Sequence, residues 1–285
     1  MKSKIDYFNP MILVVGILAF LAMGYIGSFN YRFEDPLKLE VILTIIFACI
    51  VFAIGVALAK KGEKVALVDA DFGLNNLDLY LGLEGGDGYA IPDALAGKCR
   101  VRQALLRHPK YPTLCLLRGG KQPFLINAQT LIGLLAQMEG EFDYVLIDSP
   151  AGLGEGFLTA ASAADEGVVV VAPQLSSVRD ADKAIQRLKG LGIHTLSLLI
   201  NGCHGDLVVD GEEFSPKEIA KLLKLPVLGV VPHIHGLACE GEQIPHIAVR
   251  YAAEILRGGK RRIYDPTRRY SGFWGGVRRG LKRSL

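Results

Sequence analysis

The chain has 285 residues, of which 50% are hydrophobic, enough to build one large domain or two modest ones around a stable core. Its five cysteines form no Cys-x-x-Cys pair and no even framework, so reduced intracellular thiols are expected. The net charge of +3 is unevenly distributed: residues 260–285 carry nine basic side chains and one aspartate, a net +8, which leaves −5 for the rest of the chain. This basic tail favours attraction to an anionic surface, either a membrane or nucleic acid.

Two long apolar runs begin the chain. Met11 to Gly27 contains no charged residue, and Val41 to Ala59 would form a helix about 28 Å long, close to the bilayer core of about 30 Å. Lysines before the first run and after the second favour the cytoplasm for both flanks. Residues 1–54 therefore predict a transmembrane hairpin. A signal peptide is the alternative for the first run, and buried core helices are the alternative for both.

From Gly62 onward, short β-branched runs alternate with helical stretches, which predicts an α/β fold with a doubly wound, mostly parallel sheet over residues 55–258. The predicted strands are Val65–Val68, Leu114–Leu117, Tyr144–Ile147, Val168–Ala172, Leu196–Ile200 and Val227–Val231. The predicted helices are Gln129–Met138, Val178–Leu188, Pro216–Leu223 and His246–Leu256. Ser215 before Pro216 is a typical helix start.

Three aspartates end predicted strands. Asp69 and Asp71 follow the first strand and Asp148 follows the third, so all three should lie at the carboxyl edge of the sheet, where such folds bind ligands. Carboxylates there can hold magnesium or orient an attacking water for phosphoryl transfer. Aspartates that serve only as turn residues or helix caps explain the pattern equally well.

Four segments in order resemble the septum-site-determining ATPases of the ParA/MinD family of P-loop ATPases. They are Val-Ala-Leu-Ala-Lys-Lys-Gly at 56–62, Val-Asp-Ala-Asp-Phe-Gly-Leu-Asn-Asn-Leu-Asp at 68–78, Asp-Ser-Pro-Ala-Gly at 148–152 and Ser-Ser-Val-Arg-Asp-Ala-Asp at 176–182. The resemblance covers about residues 55–285. It implies a P-loop NTPase-like fold, with ATP and Mg²⁺ as cofactors and ATP hydrolysis coupled to dimerisation and membrane association.

The resemblance also implies roles for particular residues. Asp148 would contact magnesium indirectly, Asp71 would help to place the hydrolytic water, and Asp69 would support it. Asn201 would recognise the adenine edge, and Pro232 would lie in the loop that packs on that base. The segment 176–182 would serve the homodimer interface and the family's partners, the septum-inhibitor and topology-regulator proteins of the Min system.

Residues 259–285 predict a basic linker followed by an amphipathic membrane-targeting helix. The apolar arc of that helix contains Phe273, Trp274, Val277 and Leu281, and its basic side contains Arg278, Arg279 and Lys282. The glycines at 275, 276 and 280 lower the helix propensity, so the helix is expected to form on lipid. A nucleic-acid-binding tail is the alternative, although phosphate binding does not require the apolar arc. The expected place is the inner face of the cytoplasmic membrane, with no nucleic-acid partner.

The phosphate-binding loop of the family is missing. No segment has the pattern Gly-x-x-x-x-Gly-Lys followed by Ser or Thr, in which backbone N–H groups and the lysine hold phosphate oxygens. In alignment with the family the loop would fall at Val41–Ala48, an apolar run, and the central strand before it would be lost as well. Met11–Gly16 could replace that strand at the cost of the first membrane span. The expectation is weak ATP binding or none.

The favoured function is a family member that selects the cell-division site at the membrane, with uncertain ATPase activity. One alternative is a non-catalytic, membrane-anchored scaffold that keeps the partner surface. Another is a truncated family member fused to an unrelated membrane segment. A tyrosine-kinase-like ATPase of polysaccharide export ranks last, because only Tyr264 and Tyr270 lie near the end of the chain.

Overall fold

The computed structural model describes residues 11–15, 36–72, 77–83, 88–120, 126–150, 152–233 and 246–283. Within these residues, eight strands form one sheet. The strands are β1 (Met11–Val15), β2 (Val65–Asp69), β3 (Leu105–Arg107), β4 (Leu114–Leu117), β5 (Tyr144–Asp148), β6 (Glu166–Val171), β7 (Thr195–Cys203) and β8 (Val227–Pro232). Across the sheet their order is β3-β4-β2-β5-β1-β6-β7-β8, and only the β3–β4 pair is antiparallel.

Helices connect the strands. They are α1 (Pro36–Ala59), α2 (Leu77–Leu81), α3 (Ile91–Leu95), α4 (Val101–Ala104), α5 (Ala128–Ala136), α6 (Glu155–Ser162), α7 (Leu175–Gly190), α8 (Gly205–Asp210), α9 (Pro216–Leu223), α10 (Ile247–Leu256) and α11 (Gly272–Arg283), with a 3₁₀ turn at Pro266–Arg269. The side chains of each strand alternate between the two faces of the sheet, and helices cover both faces. One face packs against α1 and α10, and the other packs against α5, α6, α7 and α9. The predicted doubly wound, mostly parallel α/β fold is confirmed.

The central strand is β1. It lies between β5 and β6, with Val15 in register with Asp148 on one side and with Val168 on the other. The prediction that the central strand is lost was therefore wrong. The predicted first membrane span was also wrong for Met11–Val15, because these residues pair as a strand. Residues 16–27 of that predicted span lie outside the described residues.

The second predicted membrane span, Val41–Ala59, belongs to α1, which has 24 residues. From Ala48 to Ala59 its side chains are almost all buried, and the helix packs against β2, β5 and α10. The membrane interpretation of this half was wrong, and the alternative of a buried core helix is confirmed. A helix that is apolar all round suits a protein core as well as a bilayer, so its sequence alone leaves both choices open. Among the described residues, no helix has the length and apolarity of a membrane span.

Candidate functional site

The three aspartates predicted as catalytic lie together at the carboxyl edge of the sheet. Asp69 and Asp148 face each other across the neighbouring strands β2 and β5. The backbone N–H of Ala70 donates to the Asp148 carbonyl at 2.9 Å, and the N–H of Asp71 donates to Asp69 Oδ1 at 3.1 Å. All three aspartates are buried, with Asp69 and Asp148 each only 2% exposed. The parallel register thus places three carboxylates in one buried cluster.

Burial and mutual repulsion disfavour ionisation of this cluster. Burial, reinforced by the nearby charge of Asp71, raises the pKa of Asp69 to about 8. Burial and then the charges of Asp69 and Asp71 raise the pKa of Asp148 well above its ordinary value. Asp148 Oδ1 is also buried without a hydrogen-bond partner among the described residues. The carboxyl groups of this cluster are therefore stable either when they are protonated or when a bound cation balances their charge.

The two residues predicted to contact adenine also come together. Asn201 lies in β7, Pro232 ends β8, and Pro232 is in register with Cys203, two residues beyond Asn201. The N–H of His233 donates to the Cys203 carbonyl at 2.9 Å, which ties the two strand ends to each other. Three strand spacings separate β7 from β5, about 14 Å in all. That separation from the carboxylates suits an elongated ligand.

Between these two groups lies the carboxyl end of β1, where the strand order reverses. The chain leaves β1 toward β2 on one side, whereas β6, β7 and β8 lie on the other, and a crevice at such a point is the usual ligand site of an open α/β sheet. The segment that leaves this point, residues 16–35, contains no lysine. A phosphate loop is therefore expected at this position, but the sequence of residues 16–35 is not that of a phosphate loop.

The carboxylate cluster suits Mg²⁺, whereas the segment between β1 and α1 does not suit the phosphates of ATP. The carboxylate side suits Mg²⁺, since it offers negative charge and an unpartnered buried oxygen at Asp148. Among the described residues, no group of three or more His, Cys, Asp or Glu side chains is arranged to hold a metal ion directly. The phosphate side does not suit ATP, because the residues after β1 supply neither the lysine nor the glycine-rich pattern that binds phosphate.

The predicted membrane-binding segment is the helix α11. Phe273 and Trp274 are 80% and 76% exposed, and Val277 is also exposed. Arg279 points instead toward the body, where its Nε lies 3.0 Å from Asp210 Oδ1 and its guanidinium donates to the Tyr270 carbonyl. The side chains of Leu281, Arg278 and Lys282 lie outside the described part of the structure.

The helix α11 is present at Gly272–Arg283 and packs on the body, and the prediction that lipid induces it stays a prediction. Its position was predicted correctly. Sequence reasoning missed the contact of Arg279 with Asp210, and no periodic pattern could have indicated it because the partner lies outside the helix.

The segment predicted to serve as a partner surface forms the first half of α7. Ser176, Arg179 and Asp182 are exposed, whereas Ser177 is buried and its Oγ accepts a hydrogen bond from the N–H of Ala172 at 2.8 Å. Leu175, which begins the helix, is 70% exposed. The exposed side of α7 is therefore available for contacts outside the chain.

Comparison with known proteins identifies the family. The ParA family model, described as NUBPL iron-transfer P-loop NTPase, matches residues 48–252. The chain belongs to the MinD/ParA family of P-loop NTPases. The septum site-determining protein MinD of Synechocystis is 40% identical over 181 residues, which cover 63% of this chain and 68% of that protein. MinD of Helicobacter pylori is 37% identical over 194 residues, which cover 65% and 72% respectively.

Solved structures of family members share the fold. MinD of Aquifex aeolicus superimposes with a TM-score of 0.71 at 28% identity, covering 89% of this chain and 99% of that one. A MinC:MinD complex from the same organism gives 0.72 at 29% identity, covering 88% and 96%. The sequence match to the family model begins at residue 48, inside α1, so β1 and the residues before α1 lie outside it. The chain spans 58% of the length of the Oltmannsiellopsis viridis relative.

Proposed function

We propose that this chain is a MinD-like protein of division-site selection that works at the inner face of the cytoplasmic membrane and binds anionic lipid through α11. The exposed Phe273 and Trp274 on a basic helix carry this proposal. An interfacial helix inserts such side chains between lipids, while each basic residue near an anionic surface adds about 1 kcal/mol. The relatives named as septum site-determining proteins support the role in division.

We also propose that ATP handling is weak or absent in this chain. The family's fold, its carboxylate cluster and the strand ends with Asn201 and Pro232 are present, which supports an inherited nucleotide site. The phosphate contacts are missing, because residues 16–35 contain no lysine and no Gly-x-x-x-x-Gly-Lys pattern. The ATPase activity implied by the family, with Asp71 and Asp148 in its catalytic roles, is thus expected to be lost or strongly reduced.

A non-catalytic scaffold is the second candidate, and the missing phosphate loop favours it. The predicted hairpin no longer supports such a scaffold, since Met11–Val15 pair as a strand of the sheet and Ala48–Ala59 are almost all buried. The scaffold would instead use α11 as its anchor and the exposed side of α7 as its partner surface. The Aquifex MinC:MinD complex supports MinC as a kind of partner. Topology-regulator proteins of the Min system and a homodimer are proposed from the family resemblance alone.

Titration of the full chain with ATP, with and without Mg²⁺, tests the nucleotide part. We expect no binding at micromolar concentration. A matched variant, in which residues 16–35 are replaced by Gly-Lys-Gly-Gly-Val-Gly-Lys-Thr, should bind ATP more tightly if the remaining site is intact. Micromolar affinity in the unaltered chain would refute the proposal.

Sedimentation with vesicles tests the membrane part. The double variant F273A/W274A should lose at least tenfold in partition onto vesicles that contain 30% phosphatidylglycerol. The control is L175A/L222A, which truncates two exposed leucines elsewhere on the body. Equal binding of the two double variants would contradict insertion of α11.

A further inference from the structure

A cavity of about 510 Å³ lies beside α11, between the 3₁₀ turn and the start of the helix. Cavities of this size commonly hold small ligands or the polar part of a larger one. Its walls combine basic, hydroxyl and aromatic side chains. They are formed by Tyr264, Asp265, Arg268, Arg269, Ser271 and Trp274, together with the backbone at Gly275. We call this cavity the tail cleft.

The charge of the tail cleft suits an anion. Arg268 and Arg269 are exposed, and neither forms an ion pair with any described residue. The one acidic lining residue, Asp265, uses its Oδ1 to accept hydrogen bonds from the N–H of Thr267 at 2.9 Å and from the Thr267 hydroxyl at 2.7 Å. That carboxylate caps the 3₁₀ turn, and the two guanidinium groups remain available. A pair of arginines next to a hydroxyl is a typical phosphate-binding set.

The tail cleft is built by close backbone contacts. A Cβ added at Gly275 would lie 2.2 Å from the Tyr270 carbonyl oxygen, and one added at Gly205 would lie 2.1 Å from the Pro266 carbonyl oxygen. Neither position has room for a side chain. These contacts, together with the ion pair between Arg279 and Asp210, fix the tail on α8. These contacts hold the walls of the cleft in place.

We propose that the tail cleft binds the phosphate of an anionic phospholipid headgroup while the neighbouring aromatic side chains enter the same bilayer. Trp274 can take part in both phosphate binding and membrane insertion, since it lines the cleft and is 76% exposed. Arg268 and Arg269 would hold the phosphate oxygens, and Phe273 would lie beside them among the acyl chains. This inference rests on the proposed membrane association and adds to it a defined headgroup site, in place of a diffuse attraction between charges.

Matched charge removals distinguish a cleft from a diffuse attraction. The double variant R268Q/R269Q removes the two basic lining residues, and K260Q/R262Q removes two exposed basic residues of the same tail that do not line the cleft. A diffuse attraction predicts equal losses of vesicle binding. A headgroup site predicts a loss at least tenfold greater for R268Q/R269Q, with full-length protein and vesicles that contain 30% phosphatidylglycerol.

The fluorescence of Trp274, the single tryptophan of the chain, gives a second readout inside the cleft. Phosphatidylglycerol vesicles should shift its emission to the blue, and K260Q/R262Q should keep that shift while R268Q/R269Q loses most of it. Soluble glycerol 3-phosphate should reduce the shift at millimolar concentration. Saturation by inorganic phosphate at micromolar concentration, without a response to vesicles, would assign the cleft to free phosphate and overturn the lipid site.

The outcomes separate the two proposals. If the unaltered chain does not bind vesicles, both membrane association and the headgroup site fail. If it binds and the two charge-removal variants lose affinity equally, only the headgroup site fails. A Trp274 response to duplex DNA that R268Q/R269Q abolishes, with no response to vesicles, would replace lipid by nucleic acid and overturn the inference.

Discussion

Replacement of Asp69 by asparagine should stabilise the protein at neutral pH. The folded state raises the pKa of Asp69 to about 8 from an ordinary value of 3.8, mainly through burial and then through the charge of Asp71. Between pH 3.8 and pH 8 the folded state therefore holds a proton that the unfolded state releases. Stability is fully present below pH 3.8 and is lost as the pH rises toward 8.

The magnitude follows from that interval. Up to pH 7 the free energy of unfolding falls by about 1.4 kcal/mol for each pH unit, or about 4 kcal/mol in all. The variant D69N removes this dependence and keeps the acceptor Oδ1 for the N–H of Asp71. We expect a gain of about 2 to 4 kcal/mol at pH 7 and almost none at pH 4.

Urea unfolding at pH 4, 5, 6, 7 and 8, monitored by circular dichroism, measures this difference. The control variant is D182N, which neutralises an exposed aspartate on α7 and should change stability by less than about 0.5 kcal/mol at each pH. A D69N variant that is destabilised at pH 7, or whose gain does not vary with pH, would refute the assignment of a buried, protonated carboxyl group.

Three further changes test local parts of the fold by urea unfolding. S215A should cost about 1 kcal/mol, because the Ser215 hydroxyl accepts from the N–H of Glu218 and caps α9; an unchanged midpoint would contradict the cap. E213A should cost about 1 to 3 kcal/mol, because Glu213 accepts from His204 Nδ1 at 2.6 Å and from the His204 N–H at 3.0 Å. F157A should cost about 3 to 5 kcal/mol because its ring is fully buried.

Much of the sheet could be predicted because its strands are short β-branched runs with a clear boundary at each end. The strand β5 was predicted as Tyr144–Ile147 and extends one residue further, to Asp148. The helix α9 was predicted at its observed bounds, because Ser215 and Pro216 mark its start. The short elements α2, α3, α4 and β3 were missed, since three to five residues are too few for a periodic pattern.

The amino-terminal part could not be assigned from the sequence because its apolar runs fit two environments. Val41–Ala59 satisfies the length of a membrane span, yet the structure buries its second half between the sheet and α10. Met11–Gly16 was considered as a replacement strand, and the pairing of β1 with β5 and β6 depends on partners more than 130 residues away. Such distant pairing leaves no local signal. The aspartates were correctly placed at one edge, because parallel strands end together.

The buried carboxylate cluster is costly for stability and therefore calls for a functional explanation. A structure selected for stability alone would not bury Asp69 and Asp148 face to face, because both carboxyl groups must stay protonated or find a cation. Our proposal that they form the metal side of an inherited nucleotide site accounts for their destabilising presence. Residues 16–35 follow β1, where the order of the described strands reverses, and their sequence lacks the lysine and the glycine pattern of a phosphate loop. The tail cleft and α11 belong to a separate surface fixed to α8, so the proposed lipid binding needs no contact with that cluster. The two proposals are therefore independent: an absent phosphate loop would remove nucleotide chemistry and would leave the proposed membrane surface unchanged.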